Sequence, residues 1–182
     1  LYDALVTAFA TAGTGGFGFK NDSFASASAV QQIVVTVFML LFSVNFNSYY
    51  LVLKLKLKDA FNSEVRAFFL IVVAVVAIIT ANLWINLSSQ FESIWEALRH
   101  AAFNVASLIS TTGFSSADFN LWPALSQTLL ILVLIIGGCA GSTAGGIKVS
   151  RILILFKGMA RELRTIVHPR QVKKISIAGK PV

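Results

Sequence analysis

Three stretches of this chain carry no charged residue: 23–53, 67–91 and 119–147. A helix needs roughly 20 mostly apolar residues to cross the hydrocarbon core of a bilayer. Each stretch is long enough. Two shorter charge-free stretches, 4–19 and 101–117, alternate with them. Once their Gly and Thr clusters are removed they are too short for a full crossing, and they fit re-entrant segments. Composition agrees. Only 13% of residues are charged and 56% are hydrophobic, at a mean hydropathy of +0.77, whereas a soluble domain carries about 25% charge. The expected fold class is an all-α integral membrane protein, with the lipid bilayer as its first partner.

The net charge of +7 raises nucleic acid as a partner. A nucleic-acid binder spreads Lys and Arg over a soluble face with interleaved aromatics. Here the basic residues sit between apolar stretches, as positive-inside topology requires, so nucleic acid is set aside. Lys54, Lys56, Lys58 and Arg66 occupy one connection, and Lys148, Arg151, Lys157, Arg161, Arg164, Arg170, Lys173, Lys174 and Lys180 follow the last stretch; together they are 13 of the 15 basic residues. Asp3, Asp22, Glu92, Glu96 and Asp118 lie in the other connections. The rule places the 54–66 loop and the C-terminal tail in the cytoplasm.

The expected order follows: residues 1–19 dip in from outside, 24–53 cross inward, 65–88 cross outward, 92–117 dip in again, and 121–157 cross inward. This is span, re-entrant helix and loop, span, the layout of a potassium-channel subunit. Tyr49, Tyr50, Trp84, Trp95 and Trp122 fall near the expected membrane boundaries, where aromatic belts form.

The two dips end alike. The first reads Ala-Gly-Thr-Gly-Gly-Phe-Gly over 12–18, the second Ile-Ser-Thr-Thr-Gly-Phe-Ser over 109–115. An offset of 97 aligns Thr14 with Thr111, Gly16 with Gly113 and Phe17 with Phe114. Upstream, Ala8-Phe9 matches Ala102-Phe103 at an offset of 94, which asks for three extra residues in the second copy. Irregular backbone at membrane depth is tolerated where it lines a watery cavity, and rings of backbone carbonyls can replace the water around a cation. Gly permits the backbone such a filter needs. Thr supplies a carbonyl and a hydroxyl, and the following aromatic can wedge the strand against its helix. An ordinary helix–turn–helix with a Gly cap is the plainer reading of either copy alone.

A third feature interrupts the last crossing. Residues 137–146 read Gly137-Gly138-Cys139-Ala140-Gly141-Ser142-Thr143-Ala144-Gly145-Gly146, with five glycines in ten residues. Gly costs roughly 1 kcal/mol against Ala inside a helix, so the helix should break here. Two readings stand: a small-residue packing face, since Gly137, Gly141 and Gly145 have GxxxG spacing, and a flexible intramembrane loop that gates ions. A phosphate loop is rejected, because Ile147 stands where the Lys belongs and no strand precedes it. Lys148 and Arg151 mark the cytoplasmic interface, where long cationic side chains snorkel.

Little else carries chemistry. Cys139 is the single cysteine and cannot form an internal disulfide; His100 and His168 are the two histidines; no Cys/His cluster and no carboxylate pair is set for acid–base work. An enzyme and a resident cofactor are not expected. There is no N-terminal Met or signal segment, and Leu1 starts in mid-element, so the chain reads as a piece of a longer protein.

The segments Phe9-Ala-Thr-Ala-Gly-Thr-Gly-Gly-Phe17, Ala102-Phe-Asn-Val-Ala-Ser-Leu-Ile-Ser-Thr-Thr-Gly-Phe-Ser-Ser-Ala-Asp-Phe119, Gly137 to Arg151 and the tail Arg161-Glu-Leu-Arg-Thr-Ile-Val-His-Pro-Arg170 resemble the Trk/Ktr/HKT superfamily of potassium transporters. The resemblance runs over nearly the whole chain and is most specific at the Gly-rich stretch. It implies potassium-channel-like span–pore-loop–span repeats about a pseudo-fourfold pore in a bacterial inner membrane. Residues 1–60 would end one repeat, 61–160 would form the next, and 161–182 would lead to a further one. It implies potassium as substrate, filter roles for Thr14, Gly15, Gly16, Thr111, Thr112 and Gly113, flanking support from Phe17 and Phe114, and a gating loop at 137–146. It also implies a homodimer on cytoplasmic nucleotide-binding regulatory subunits. Each copy keeps one glycine where tetrameric channels read TVGYG. A cation-coupled carrier with broken helices is the alternative, but the three charge-free stretches hold no ionisable residue for coupling. A non-transporting membrane scaffold is the third reading.

Overall fold

The computed structural model describes residues 1–87, 91, 93–167, 176–177 and 180–181. The expectations for Glu92, His168, Arg170, Lys173 and Lys174 fall outside the described residues. The elements run α1 (Tyr2–Ala12), α2 (Ala29–Phe42), α3 (Phe46–Leu53), α4 (Leu57–Ala60), α5 (Ser63–Leu87), α6 (Ile94–Ile109), a 3-10 turn (Phe119–Leu121), α7 (Ala124–Ile136) and α8 (Val149–Val167). A two-residue antiparallel pairing, Ser176–Ile177 with Lys180–Pro181, follows.

Among the described residues, one helix is long and apolar enough to cross a bilayer alone: α5, with 25 residues, about 37 Å at 1.5 Å per residue. The other two expected crossings are broken. The stretch expected to cross as 24–53 is two helices, α2 and α3, bent by 92°. Asn45 makes the break local: its side chain accepts from the Asn47 backbone N–H and starts α3 as an N-cap. The crossing expected over 121–157 stops at Ile136 and resumes at Val149. The GxxxG packing face is therefore excluded, because Gly137, Gly141 and Gly145 lie on no helix.

Helix α6 is the hub. It packs against α2, α5 and α7, and α1 packs against α2. Ala97, Ala101, Phe103, Val105, Ala106 and Ile109 of α6 are all fully buried. The core divides accordingly. One part joins α5, α6 and α7 through Phe68, Ile79, Leu83, Leu130 and Val133. The other joins α1, α2 and α6 through Ala10, Val35, Met39 and Phe103. Trp122 belongs to the first part and is 5% exposed, so it is a core residue rather than a member of an aromatic belt. Many large apolar residues face outward, among them Val30, Leu70, Val73 and Ile131. Lipid or further protein at membrane depth accommodates such surface.

Polar side chains tie these helices together, as expected where lipid is as apolar as leucine. Asn82 of α5 donates to Ser126 Oγ of α7 at 2.8 Å. Arg99 of α6 donates to Gln32 Oε1 of α2 at 2.7 Å, and Gln32 Nε2 donates onward to Phe24 O at 2.8 Å. Gln32 is 1% exposed. Gln32→Leu, close in volume, leaves the guanidinium and the carbonyl short of partners. A loss of about 2–3 kcal/mol is expected, read as a lower thermal unfolding midpoint of the full-length protein in detergent.

Candidate pore-lining segments and intramembrane loop

Both segments expected to dip are a helix followed by an irregular strand, and the two strands match in detail. Thr14 and Thr111 have φ of 50° and 57°, and Gly16 and Gly113 have φ of 67° and 88°. Gly15 and Thr112, between them, are absent from the positive-φ set. The hydrogen bonds repeat too. Gly13 N–H and Ser110 N–H close the last helical turn onto Phe9 O and Ala106 O, and Gly15 N–H and Thr112 N–H reach back to Ala10 O and Ser107 O. The 97-residue offset therefore holds through both helix ends, Ala12 and Ile109. No insertion separates the copies there: the counterpart of Phe9 is Ala106, and the Ala-Phe match at 94 is coincidental.

Carbonyls alternate in side along an ordinary strand. A strand whose φ changes sign from residue to residue can turn successive carbonyls to one side. Two non-glycine residues at positive φ carry strain of order 1–3 kcal/mol each, held here by the bonds just described.

The two strands touch. A Cβ on Gly16 would lie 1.9 Å from Thr112 O, so only glycine allows this approach. Gly113 faces open space, with nothing within 4 Å of a built Cβ. The aromatics that follow part company. Phe114 is buried, meets Phe24 edge-on at 4.8 Å between ring centres, and touches the Gly18 position. Phe17 is 80% exposed. The Phe17 ring lies over Gly15.

Behind the second strand lies a polar network the sequence reading missed. His100 Nδ1 lies 2.9 Å from Ser116 Oγ, and Asn104 Nδ2 reaches the same oxygen at 3.4 Å. Glu96 stands 3.6 Å from Arg99 and 3.9 Å from His100. The spacing of Glu96, His100 and Asn104, four apart on one helix, was the available signal.

The loop 137–146 meets both strands. Gly145 N–H donates to Thr111 Oγ1 at 2.7 Å, and Thr14 Oγ1 lies 3.1 Å from Thr143 O and 2.8 Å from Gly13 O. The two threonines that align in sequence thus face the same loop. Its neck is closed backbone to backbone: a Cβ on Gly137 would lie 2.1 Å from Gly145 O and 2.8 Å from Gly146 Cα. The far side engages the α2–α3 break. Cys139 N–H donates to Ser43 O at 2.9 Å, Phe46 N–H to Gly141 O at 3.1 Å, and Thr143 Oγ1 to Phe42 O at 3.2 Å. Lys148 Nζ donates to Ala144 O, and Ala140 N–H donates to Glu64 Oε1 at 2.6 Å. Gly138, Ser142 and Gly146 complete the turn, with Ser142 Oγ donating to Cys139 O at 2.6 Å. Among the described residues no group of three His, Cys, Asp or Glu side chains could hold a metal ion.

Comparison with known proteins gives one answer. The family model described as TrkH, cation transport protein, matches residues 1–182. The Trk system potassium uptake protein TrkH of Halomonas elongata is 35% identical over 97% of this chain and 36% of the relative. The Escherichia coli protein of the same name is 33% identical over 98% of this chain and 37% of its own length. The crystal structure of the potassium transporter TrkH from Vibrio parahaemolyticus superposes with a TM-score of 0.90 at 33% identity, covering 100% of this chain and 39% of that one. The chain therefore spans a little over a third of the relatives it matches.

Glycine contacts generate a contrast within three residues. Gly16→Ala drives a methyl into Thr112 O, while Gly18→Ala meets only the Phe114 ring edge at 3.9 Å. The first variant is expected to lose most of its monodisperse, folded fraction on size-exclusion chromatography of the full-length protein, and the second to keep it.

Proposed function

The chain belongs to the TrkH cation-transport family, and on that premise we propose that it supplies two of the pore-lining segments and the gate of a potassium-uptake pore. In this reading Thr14, Gly15 and Gly16, with Thr111, Thr112 and Gly113, present carbonyls that replace the water around potassium. Residues 1–60 end one repeat, 61–160 form the next, and 161–182 lead to another. The basic 54–66 loop and the C-terminal segment face the cytoplasm of a bacterial cell. A second copy and cytoplasmic nucleotide-binding subunits belong to the same proposal.

One observation carries it. The loop 137–146 is bonded to Thr14 and Thr111, the residues that lead into the two strands. On this reading, a segment bonded there would stand in the path of an ion leaving the strands. The matched backbone signs of the two copies support a shared role, and the open space before Gly113 supports a face turned to a cavity. The breaks in both inner helices also suit a coupled carrier. A carrier would show a fixed ion stoichiometry, and a pore would not.

Rubidium and sodium uptake by the full-length parent in potassium-uptake-deficient cells tests the reading. Gly113→Ser has space for its side chain but puts a non-glycine residue at a φ of 88°, a strained conformation, so the folded fraction is matched to the parent before the ratio is compared. It is expected to narrow the rubidium-to-sodium ratio about tenfold at equal expression, equivalent to losing ~1.4 kcal/mol of discrimination. An unchanged ratio in the folded variant rejects the filter assignment. Deleting residues 140–145 is expected to raise basal flux. A silent, folded deletion would make the loop a packing element instead.

A further inference from the structure

Glu64 lies in the first turn of α5 and is only 6% exposed. A carboxylate is withdrawn from water at a cost that needs charge-favouring partners to offset it. Two are present. The first is the helix itself, whose N-terminus favours negative charge within the first turn. Asn62 Oδ1 accepts from the N–H groups of Glu64 and Val65 at 3.0 Å each, so the helix start is capped and the Glu64 side chain is free to reach elsewhere. The second partner is the Ala140 N–H at 2.6 Å, a short charge-assisted bond of the stronger kind.

The placement of that bond gives it meaning. The strand-side bonds of the loop, at Thr143 and Gly145, end on uncharged threonine hydroxyls. The bonds to the α2–α3 break join neutral backbone and hydroxyl groups. Among the described residues, Glu64 is the one carboxylate that bonds the loop, and it reaches from a different element, the unbroken helix α5. The loop is thereby referenced to a span that belongs to its own repeat and needs no break to be built.

We propose that Glu64 is a positioning residue for the gate: its carboxylate holds Ala140, and with it the loop 137–146, in the closed position, and opening breaks this bond. The proposal rests on the reading of 137–146 as a gating loop. It assigns the closed state's strength to a residue outside the loop and outside both candidate filter segments.

The test is rubidium flux into proteoliposomes holding the full-length parent, with Glu64→Ala, Glu64→Gln, the deletion of residues 140–145, and the deletion combined with Glu64→Ala. Removal of a charge-assisted bond from the closed state predicts a basal flux about tenfold higher in Glu64→Ala, with the rubidium-to-sodium ratio unchanged. Glu64→Gln keeps an uncharged acceptor and is expected to rise about threefold; it carries the test if Glu64→Ala does not fold. The combined variant should conduct no more than the deletion alone. A purely structural role would lower flux in proportion to folded protein and raise it in no variant, which overturns the proposal. If the deletion raises flux and neither Glu64 variant does, the Glu64 assignment fails and the gate reading stands. If the deletion also leaves flux unchanged, both fall.

Discussion

Backbone polar groups at membrane depth must find partners within the protein, and that requirement organises this chain. Two inner helices are interrupted, and each interruption supplies what the other lacks. The α2–α3 break exposes Phe42 O and Ser43 O, which accept from Thr143 Oγ1 and Cys139 N–H, while Phe46 N–H finds Gly141 O. Other groups of the loop go to Thr111, Thr14, Glu64 and Lys148. Neither break is viable in lipid alone. Together they form one hydrogen-bonded assembly under the two strands, so movement of the loop must be felt at the bend and at the strands alike.

The same assembly explains why small residues gather where they do. Gly16 lies against Thr112 O, Gly137 lies against Gly145 O, and Gly145 lies against Thr111. Each is a place where two backbones, or a backbone and a side chain, meet without room for a further methyl. The two repeats are alike in backbone but not in surroundings. The second is enclosed by α2, α5 and α7, and Phe114 is buried in it. The first is bordered chiefly by α2, and Phe17 stays outside.

Much of this was legible in the residues, for a physical reason. Length without charge reports apolar helical segments, so α5 and the helices α1 and α6 fell within their expected stretches or a few residues of them. Glycine density reports a break, so the interruption after Ile136 was expected. The α2–α3 bend was not, because Ser43, Val44 and Asn45 include neither Gly nor Pro. It is held by capping and by bonds from a segment about a hundred residues away, which no local pattern encodes. Gln32 with Arg99 and Glu64 with Ala140 were missed likewise, because each pairs residues from different elements. Phe17 and Phe114 align in sequence yet differ in burial here, because a shared motif does not carry its packing environment with it.

The central claim is that the loop, bonded beneath the strands, closes the ion path. A built Cβ on Gly145 would lie 3.5 Å from Thr111 Cβ, within the range of natural disulfides. The direct measurement is ion flux through the full-length protein carrying Thr111→Cys and Gly145→Cys, oxidised and then reduced, with bond formation followed by mass spectrometry and each single variant as control. The account predicts that oxidation silences the double variant and reduction restores its flux, while the single variants ignore both treatments. Equal flux before and after a confirmed disulfide between the two introduced cysteines would contradict it, because ions would then pass with the loop fixed in place.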